Sequence, residues 1–306
     1  MATVCILGGT GFVGRRLAAR LARGGHELRV LTRARFRHTD MLLIPGLTLE
    51  QADVHDPAAL AAAFAGCDAV VNLVGILNER GHRGAGFRRA HAELAAQVAA
   101  ACREAGVRRL LHMGALNAAP DAPSHYLRSK GEGIAAVLAA QDLEVTVFDP
   151  SVIFGPGDSF LNRFAALLRR VPLLFPLAFP AARFAPVYVG DVAEACSLCL
   201  ERRTGIGRRL ALCGPRVYTL RELVAYTARL AGARRLILGL PRWVAWLQAA
   251  CMEWLPGKPF SLDNYRSLTL DSVCGDNALP GLGIAPTPLE SVAPLYLGAH
   301  ARRHVR

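Results

Sequence analysis

Short apolar runs and longer amphipathic stretches alternate along the first half of the chain. The apolar runs predict six buried strands, at Thr3–Leu7, Glu27–Thr32, Leu47–Gln51, Ala69–Leu73, Arg109–Met113 and Glu144–Phe148. Between them, the helical stretches cover Val13–Arg23, Pro57–Phe64, Arg88–Ala105 and Ser129–Ala140. Strict alternation of strand and helix favours a parallel sheet with helices on both faces. The pattern therefore predicts an α/β fold, a Rossmann-type doubly wound parallel sheet.

The alternation ends after Pro150, where proline-rich loops take over. Helices are predicted there at Phe160–Arg169, Leu220–Ala231 and Pro241–Leu255, followed by an irregular tail. We expect residues 1–150 to form the Rossmann domain, which the chain rejoins over about 186–214. Residues 151–306 are expected to form a smaller C-terminal α/β lobe for a substrate or partner.

The net charge of +12 comes almost entirely from arginine, since Lys130 and Lys258 are the only lysines. The arginines fall in scattered pairs, not in one basic block with aromatic residues, so no nucleic-acid partner is expected. A basic surface also suits an acidic protein or anionic lipid headgroups. No run of about 18 apolar residues could span a membrane, and the N-terminus does not have the pattern of a signal peptide. We expect a cytoplasmic location, with peripheral association at the inner face of the membrane left open.

Eight cysteines are spread singly, and several lie in apolar stretches, such as Cys5, Cys67, Cys102 and Cys213. This pattern predicts buried free thiols in a reducing cytoplasm. Cys196 and Cys199 form a CxxC within a helical pattern, without a second pair of ligands nearby. No metal site is expected there.

The first strand leads into the loop Gly8-Gly9-Thr10-Gly11-Phe12-Val13-Gly14, which opens a helix. Gly8 permits the tight turn, Gly11 lets a pyrophosphate approach the backbone, and Gly14 lets the helix pack close to the strand. The helix N-terminus then offers free N–H groups and the positive end of its dipole. Between a strand and a helix, this loop predicts a dinucleotide site in which Thr10, Phe12 and Val13 also take part.

The second strand is followed by Arg33, Arg35 and Arg37, with no acidic residue before Asp40. A carboxylate here would bind the adenosine ribose hydroxyls of NAD, whereas a guanidinium can bind the 2′-phosphate of NADP with two parallel hydrogen bonds. We therefore predict a preference for NADP(H) over NAD(H), through Arg33 and Arg37. The alternative is that these arginines are solvated loop residues in an arginine-rich chain.

Later strand ends supply further candidate cofactor residues. Asp53-Val54 follows the third strand, where it is placed to contact the adenine. Asn72-Leu73-Val74-Gly75 ends the fourth strand, and its glycine allows the backbone to approach the ribose on the nicotinamide side.

Tyr126 and Lys130 stand four residues apart after the fifth strand, so they share one face of a predicted helix. An ammonium beside a phenol stabilises the phenolate, which suits proton transfer to or from a substrate oxygen. The strand end itself, Gly114-Ala115, has no hydroxyl to hold that oxygen.

In this order the motifs resemble those of the extended and atypical short-chain dehydrogenase/reductase superfamily. They are GGTGFVG (8–14), Asp53-Val54, NLVG (72–75), Tyr126-x-x-x-Lys130, PSVIFGPGD (150–158) and PVYVGDVA (186–193). Three further stretches resemble the branch that contains the nucleotide-binding accessory subunit of respiratory complex I and its bacterial relatives. These are GPGDSFLNRFAALL (155–168), LPGKPFSLDNYRSLTLDSV (255–273) and GLGIAPTPLESVAPLYL (281–297). The resemblance implies a nicotinamide dinucleotide as ligand, with Pro150 and Val152 among its contacts, and respiratory complex I or another protein as partner.

Catalysing members of this superfamily use Tyr as general acid/base, Lys to lower the Tyr pKa and bind the ribose, and Ser or Thr to fix the substrate oxygen. The resemblance gives the first two roles to Tyr126 and Lys130, but His91 replaces a frequent Asn and Asp149 a usual basic residue. Two hypotheses remain open. One is an NAD(P)(H)-binding accessory protein or sensor with reduced or absent catalysis. The other is an active NAD(P)-dependent oxidoreductase or epimerase/dehydratase with an unidentified small-molecule substrate.

Apolar residues recur at helical spacing near the C-terminus, at Trp243, Trp246, Leu247, Ala250 and Trp254. The pattern is typical of a helix packed on the core of the lobe. The alternative is a helix that binds a partner or an interface.

Overall fold

The computed structural model describes residues 1–298. Its strands are β1 (Thr3–Leu7), β2 (Glu27–Thr32), β3 (Leu47–Gln51), β4 (Ala69–Asn72), β5 (Arg109–Met113), β6 (Glu144–Pro150), β7 (Ile153–Phe154), β8 (Leu174–Leu177), β9 (Arg183–Phe184), β10 (Val187–Tyr188), β11 (Arg208–Leu212), β12 (Tyr218–Thr219) and β13 (Leu236–Gly239). Its helices are α1 (Phe12–Arg23), α2 (Pro57–Phe64), α3 (Ala85–Arg88), α4 (Leu94–Glu104), α5 (His125–Leu138), α6 (Leu161–Arg170), α7 (Val189–Glu201), α8 (Leu220–Leu230), α9 (Arg242–Met252), α10 (Leu262–Ser267), α11 (Ala278–Gly281) and α12 (Leu289–Leu297).

The chain divides into two compact units. The first unit contains residues 1–149, 190–211 and 278–284. The second unit contains, among the described residues, 150–189, 212–277 and 285–298. The predicted C-terminal lobe and its tail reach residue 306. Residues 299–306 of this prediction, with the pair Arg302-Arg303, lie outside the described residues.

The first unit is built on a seven-stranded sheet in the order β11-β6-β5-β4-β1-β2-β3. Every neighbouring pair from β6 to β3 is parallel. The β4 and β5 segments are buried along their whole length, as expected for strands covered by helices on both faces. The expected Rossmann-type parallel sheet is confirmed.

The second unit combines short strand pairs with helices. Its two-stranded sheets pair β10 with β7, β12 with β9 and β13 with β8. An apolar cluster of its own, which includes Phe154, Leu168, Phe184 and Leu223, forms its core. The predicted helices are present within a residue or a few of their expected ends, and the supposedly irregular region from 256 onwards also contains α10, α11 and α12.

The structure corrects the prediction that Cys213 is a free thiol. Cys213 and Cys274, both in the second unit, form a disulfide with their Cα atoms 6.0 Å apart. They stand 61 positions apart in the sequence, in unrelated local patterns, so only the folded backbone brings them together. The other six cysteines are free, and all except Cys251 are buried.

The helix with the tryptophans is also not the core helix that its spacing suggests. Ala245 and Ala249 form the buried side of α9. Trp243, Trp246 and Trp254 are 72%, 52% and 80% exposed. The apolar stripe therefore faces outward. None of the helices within residues 1–298 is long and apolar enough to cross a membrane.

Candidate functional site

The glycine loop between β1 and α1 contains glycines with two different roles, one in the packing of the loop and one in leaving space for a ligand. Gly8 has a φ of +74°, and a Cβ on it would lie 3.0 Å from the backbone carbon of Leu73. A Cβ on Gly14 would lie 2.5 Å from the Gly9 Cα, so the helix packs directly on the loop. Gly11 is exposed, and its Cβ would meet only the Gly8 carbonyl oxygen, at 3.2 Å. Gly8 and Gly14 are required by the fold, whereas the missing side chain of Gly11 leaves room for a ligand.

The N-terminus of α1 offers the polar groups that such a ligand needs. No side chain caps the helix, and its first turn contains no acidic residue. The N–H groups of its first residues, Phe12 and Val13 among them, have no partner within the helix because none precedes them. Together with the helix dipole they favour an anionic group. Thr10 contributes through its backbone, where its carbonyl accepts a 3.1 Å hydrogen bond from Arg15 Nε. The loop fits a dinucleotide phosphate.

The end of β2 presents cations. Arg33 directly follows the strand and Arg37 lies in the 3-10 segment Arg35–Arg37; both are exposed. The first acidic residue after them, Asp40, forms an ion pair with Arg15, whose guanidinium lowers the pKa of that carboxyl. Asp40 is thus already paired with a cation, and Arg33 and Arg37 are the charged groups offered to a ligand at this strand end.

After β3 and at the end of β4, polar side chains accept hydrogen bonds from nearby backbone N–H groups and fix the turns that follow. Asp53 Oδ1 accepts a 3.0 Å hydrogen bond from the His55 N–H, and Val54 packs against the core of the first unit. Asn72 Oδ1 accepts from the Val74 N–H at 3.1 Å, which fixes the turn through Leu73 and Val74. The following residue, Gly75, is exposed, so its backbone is accessible.

Lys130 is held beneath this turn. Its Nζ donates a 2.8 Å hydrogen bond to the Met113 carbonyl at the end of β5, and a Cβ on Gly75 would lie 3.3 Å from Nζ. Burial lowers the pKa of Lys130 to about 8, partly offset by the carboxyl of Asp149. The structure therefore brings Lys130 and Gly75 together, one from α5 and one from the end of β4.

Tyr126 lies one turn earlier on α5, which Ser124 caps by accepting from the Leu127 N–H at 3.2 Å. Burial raises the pKa of Tyr126 to about 12. The resemblance implies the opposite direction, a tyrosine pKa lowered by the neighbouring lysine. In this structure the cause of the shift is desolvation, while Lys130 Nζ donates to the Met113 carbonyl.

His91 is fixed by a chain of hydrogen bonds. It lies in a π segment, Arg89–Glu93, and its Nε2 accepts from the Ile76 N–H at 3.0 Å. The ring proton is therefore on Nδ1, which donates to Ser129 Oγ at 2.9 Å. The Ser129 hydroxyl in turn donates to the Tyr126 carbonyl at 2.9 Å. The imidazole ring stands edge-on to the Tyr126 ring, with centroids 5.5 Å apart, and burial lowers the His91 pKa. Both ring nitrogens are thus engaged in positioning Tyr126 and the turn after β4.

Sequence reasoning missed Ser129, although its position directly before Lys130 was a visible signal.

A carboxyl group fills the space beside Gly114. A Cβ on Gly114 would overlap Asp149 Oδ1 and lie 2.9 Å from Ile134 Cδ1. Asp149 Oδ2 accepts a 2.6 Å hydrogen bond from Arg209 Nε, and the same guanidinium donates to the Ala118 carbonyl at 3.0 Å. Burial raises the pKa of Asp149 despite this ion pair. Ala115, the other candidate position, is buried and has no hydroxyl.

The two remaining predicted contacts belong to the second unit. Pro150 is the last residue of β6 and is buried, and Val152 packs against the apolar cluster of the second unit. Their assignment as cofactor contacts stays a prediction.

No metal centre accompanies these groups within residues 1–298, where no set of three or more His, Cys, Asp or Glu could hold an ion. The CxxC residues, Cys196 and Cys199, lie buried on α7, and burial raises the pKa of both thiols. They are packed as small apolar side chains.

Comparison with known proteins agrees with this geometry. Residues 4–213 match the NAD dependent epimerase/dehydratase family. The chain is 31% identical to the NADH dehydrogenase [ubiquinone] 1 alpha subcomplex subunit 9 of Rattus norvegicus, over 93% of this chain and 77% of the relative. It is also 31% identical to the ceramide reductase of Caulobacter vibrioides, over 78% of this chain and 73% of the relative.

A solved structure shows the same fold at lower sequence identity. The dTDP-glucose 4,6-dehydratase DesIV of Streptomyces venezuelae, with NAD bound, superposes with a TM-score of 0.75 at 19% identity, covering 99% of this chain and 97% of that one. The expected superfamily, its complex I branch and the coarser expectation of a nicotinamide dinucleotide are confirmed, while the preference for NADP(H) stays a prediction. The protein is a member of the NAD dependent epimerase/dehydratase family.

Proposed function

We propose that this protein binds NADP(H) as a retained ligand, with reduced or absent catalysis, and serves as an accessory or assembly partner of a respiratory complex. The observation that carries the proposal is the carboxyl of Asp149 beside Gly114. Catalysing relatives place a hydroxyl at this strand end. Here a side chain on Gly114 would overlap Asp149, which Arg209 holds in place.

The groups that would bind the cofactor are present, in contrast to the missing catalytic hydroxyl. Gly11 leaves space in front of the α1 N-terminus, and Lys130 Nζ lies beside the Gly75 backbone. These groups bind phosphate and ribose whether or not hydride transfer follows. A site can keep its ligand after it loses its reaction. A bound cofactor would supply redox chemistry, but neither Gly114 nor Ala115 offers a hydroxyl to align a substrate oxygen.

The proposed partner rests on the relatives. The rat, mouse and Arabidopsis thaliana proteins that match over at least 90% of this chain are all subunits of NADH dehydrogenase by name. The proposal includes a cytoplasmic location, at the inner face of a membrane that carries such a complex.

Gentle purification followed by mass spectrometry tests both halves at once. We expect NADP⁺ or NADPH to be released on denaturation, and subunits of a respiratory complex among the co-purified chains. Release of NAD only would remove the stated preference. Absence of any nucleotide, combined with no affinity in titration, would reject the binding proposal.

A second candidate function is an NAD(P)-dependent reductase or epimerase/dehydratase. It is favoured by the retained Tyr126–Lys130 pair and by the Caulobacter relative, which is named a ceramide reductase. A panel of carbonyl compounds that includes long-chain lipid ketones separates the candidates. With the retained-ligand function, wild type shows no hydride transfer, and Tyr126→Phe and Lys130→Ala weaken cofactor binding only. Turnover by wild type that Tyr126→Phe abolishes would establish the enzyme instead.

The Gly114 position can be examined directly. Gly114→Ser should destabilise the protein and create no activity, because its Cβ overlaps Asp149. Ala115→Ser is the matched control, since a buried residue with a Cβ already stands there. A stable Gly114→Ser protein with new turnover would show that Asp149 moves aside.

A further inference from the structure

All three tryptophans of the chain lie on one exposed surface of the second unit. Trp243 and Trp246 project from α9, and Trp254 follows two residues after its end. Their exposed fractions, 52% to 80%, are large for a side chain that contributes so much to burial elsewhere in proteins. Leu247, on the same side of the helix as Trp243, is 50% exposed.

A neighbouring strand pair of the same unit also exposes leucines. β13 and β8 pair in parallel, which sets Leu236 opposite Leu174 and Leu238 opposite Pro176. Leu174, Leu236 and Leu238 are 51%, 66% and 51% exposed. Gln248 of α9 donates to the Pro176 carbonyl at 3.4 Å, so one side of the helix lies near this strand pair. We call the exposed apolar side chains of these neighbouring elements, Trp243, Trp246, Trp254, Leu174, Leu236 and Leu238, the tryptophan face.

The chain segments that carry Trp243, Trp246 and the three leucines contain cations and no acidic residue. Residues 161–182 contain three arginines and residues 223–252 contain four, and neither segment contains Asp or Glu. The nearest acidic residue along the helix, Glu253, is paired with Lys258 at 4.0 Å. Arg169, Arg170, Arg234 and Arg242 are exposed. Among the exposed charged side chains of these two segments, all are cations.

We propose that the tryptophan face docks on the surface of an anionic lipid bilayer. Tryptophan and leucine enter the boundary between headgroups and acyl chains, while arginines attract the negative lipid surface. The side chains protrude by half or more of their area, as suits insertion into a fluid layer. This inference names the surface by which the cytoplasmic protein proposed above meets its membrane; it does not depend on cofactor binding.

A protein partner is the rival occupant, and the charge distribution favours the bilayer. A protein surface of mixed charge would select for acidic as well as basic groups around the apolar centre, because complementary pairs give specificity. An anionic bilayer selects for cations only. The two occupants give different results in one assay.

Intrinsic fluorescence reports on this surface alone, since the chain has no other tryptophan. Full-length protein titrated with phosphatidylcholine vesicles containing phosphatidylglycerol should show a blue shift of emission and quenching by brominated acyl chains. Pure phosphatidylcholine vesicles should bind at least ~100-fold more weakly, because several arginines contribute to the attraction. High salt should weaken binding to the anionic vesicles.

Matched variants locate the contact. Trp243→Ser with Trp246→Ser leaves Trp254 as reporter and should weaken vesicle binding by about tenfold or more. Leu295→Ser, in α12, is the control, because Leu295 is 74% exposed yet lies outside the tryptophan face. Arg169→Gln with Arg170→Gln should also weaken binding, whereas Arg202→Gln with Arg208→Gln, two exposed arginines of the first unit, should not.

Cofactor titration of the same samples keeps this test separate from the proposed function. Variants that bind nucleotide like wild type but lose vesicle binding support the proposal. An emission spectrum unchanged by either kind of vesicle overturns it. So does an equal loss in the Leu295→Ser control, or a co-purified protein that shields the tryptophans from aqueous quenchers where vesicles do not.

Discussion

Single side chains decide what this site can do. The carboxyl of Asp149 occupies the space beside Gly114. Asp149 is a residue of β6, and the pairing of β5 with β6 places the two residues next to each other. The missing hydroxyl is visible in the sequence. Its replacement by a carboxyl paired with Arg209 is not, because Arg209 follows 60 residues later in the chain.

The arginines after β2 carry a prediction about cofactor choice. Arg33→Ala should lower the affinity for NADP⁺ by about 10- to 100-fold, because a charge-assisted hydrogen bond to the 2′-phosphate is worth roughly 1.5–3 kcal/mol. The affinity for NAD⁺, which has no such phosphate, should stay within about twofold by the same argument. Isothermal titration with both cofactors measures this.

Arg108→Ala is the control for that titration. Arg108 is exposed and directly precedes β5, at the opposite end of the strand from the site. Equal affinities of the wild type for NADP⁺ and NAD⁺, unchanged in Arg33→Ala, would mean that the arginines are solvated loop residues.

Helices and strands were predictable where a single period repeats. Six strands of the sheet follow from short stretches rich in apolar residues, and their observed ends differ from the expected ones by at most two residues. The predicted helix Arg88–Ala105 is instead three segments, with the π segment that carries His91 between α3 and α4. An extra residue in a helical turn leaves the apolar pattern nearly unchanged, so periodicity cannot reveal it. The exposed side of α9 was misassigned for a related reason: spacing shows that a stripe exists but not what covers it.

The glycine loop makes a prediction that separates folding from binding. Gly11→Val should leave the thermal midpoint nearly unchanged and abolish cofactor binding, since the added Cβ meets only the Gly8 carbonyl oxygen within the protein and the β-branched side chain occupies the space that the pyrophosphate needs. Gly14→Ala should instead destabilise the fold by about 1–3 kcal/mol, because its Cβ has no space against Gly9. Thermal unfolding and cofactor titration of both variants provide the measurement. A Gly11→Val protein that folds and binds as wild type would show that no phosphate lies at this loop.

Two buried histidines on neighbouring elements predict a loss of stability in mild acid. Burial lowers the pKa of His112 on β5 to about 3, and that of His91 is lowered as well. Below the unfolded value of about 6.5, the unfolded chain takes up protons that the folded chain refuses. The contribution of these two histidines to the unfolding free energy should thus be constant above this pH and fall by about 1.4 kcal/mol per pH unit for each histidine as pH drops.

Urea unfolding between about pH 7 and pH 5 measures this slope. His112→Gln should flatten it by the contribution of one proton, whereas His82→Gln, which alters an exposed side chain, should leave it unchanged. A wild-type stability that does not vary over this range would contradict the burial of neutral histidines.

At the scale of the whole molecule, local sequence patterns do not predict contacts between residues that are far apart in the chain. The first unit is assembled from three separate segments, and β11 joins its sheet from beyond residue 200. Such long-range pairings depend on the fold as a whole, and so does the disulfide between Cys213 and Cys274. Singly spaced cysteines in apolar stretches look alike in sequence whether they are buried thiols or cross-linked, which is why Cys213 was assigned to the wrong class.

That disulfide supports the last prediction. Protein purified without reductant and then denatured should expose six reactive thiols, and eight after reduction, because two of the eight cysteines are joined. Closing a loop of this length restricts the unfolded chain, so Cys274→Ser should lower the unfolding free energy by about 2–4 kcal/mol. Cys251→Ser is the control, since Cys251 is free and exposed. With reductant present, wild type should match Cys274→Ser, because both then lack the cross-link. Eight thiols before reduction would contradict the prediction and show that the pair is open in solution, and the stability difference between wild type and Cys274→Ser should then disappear.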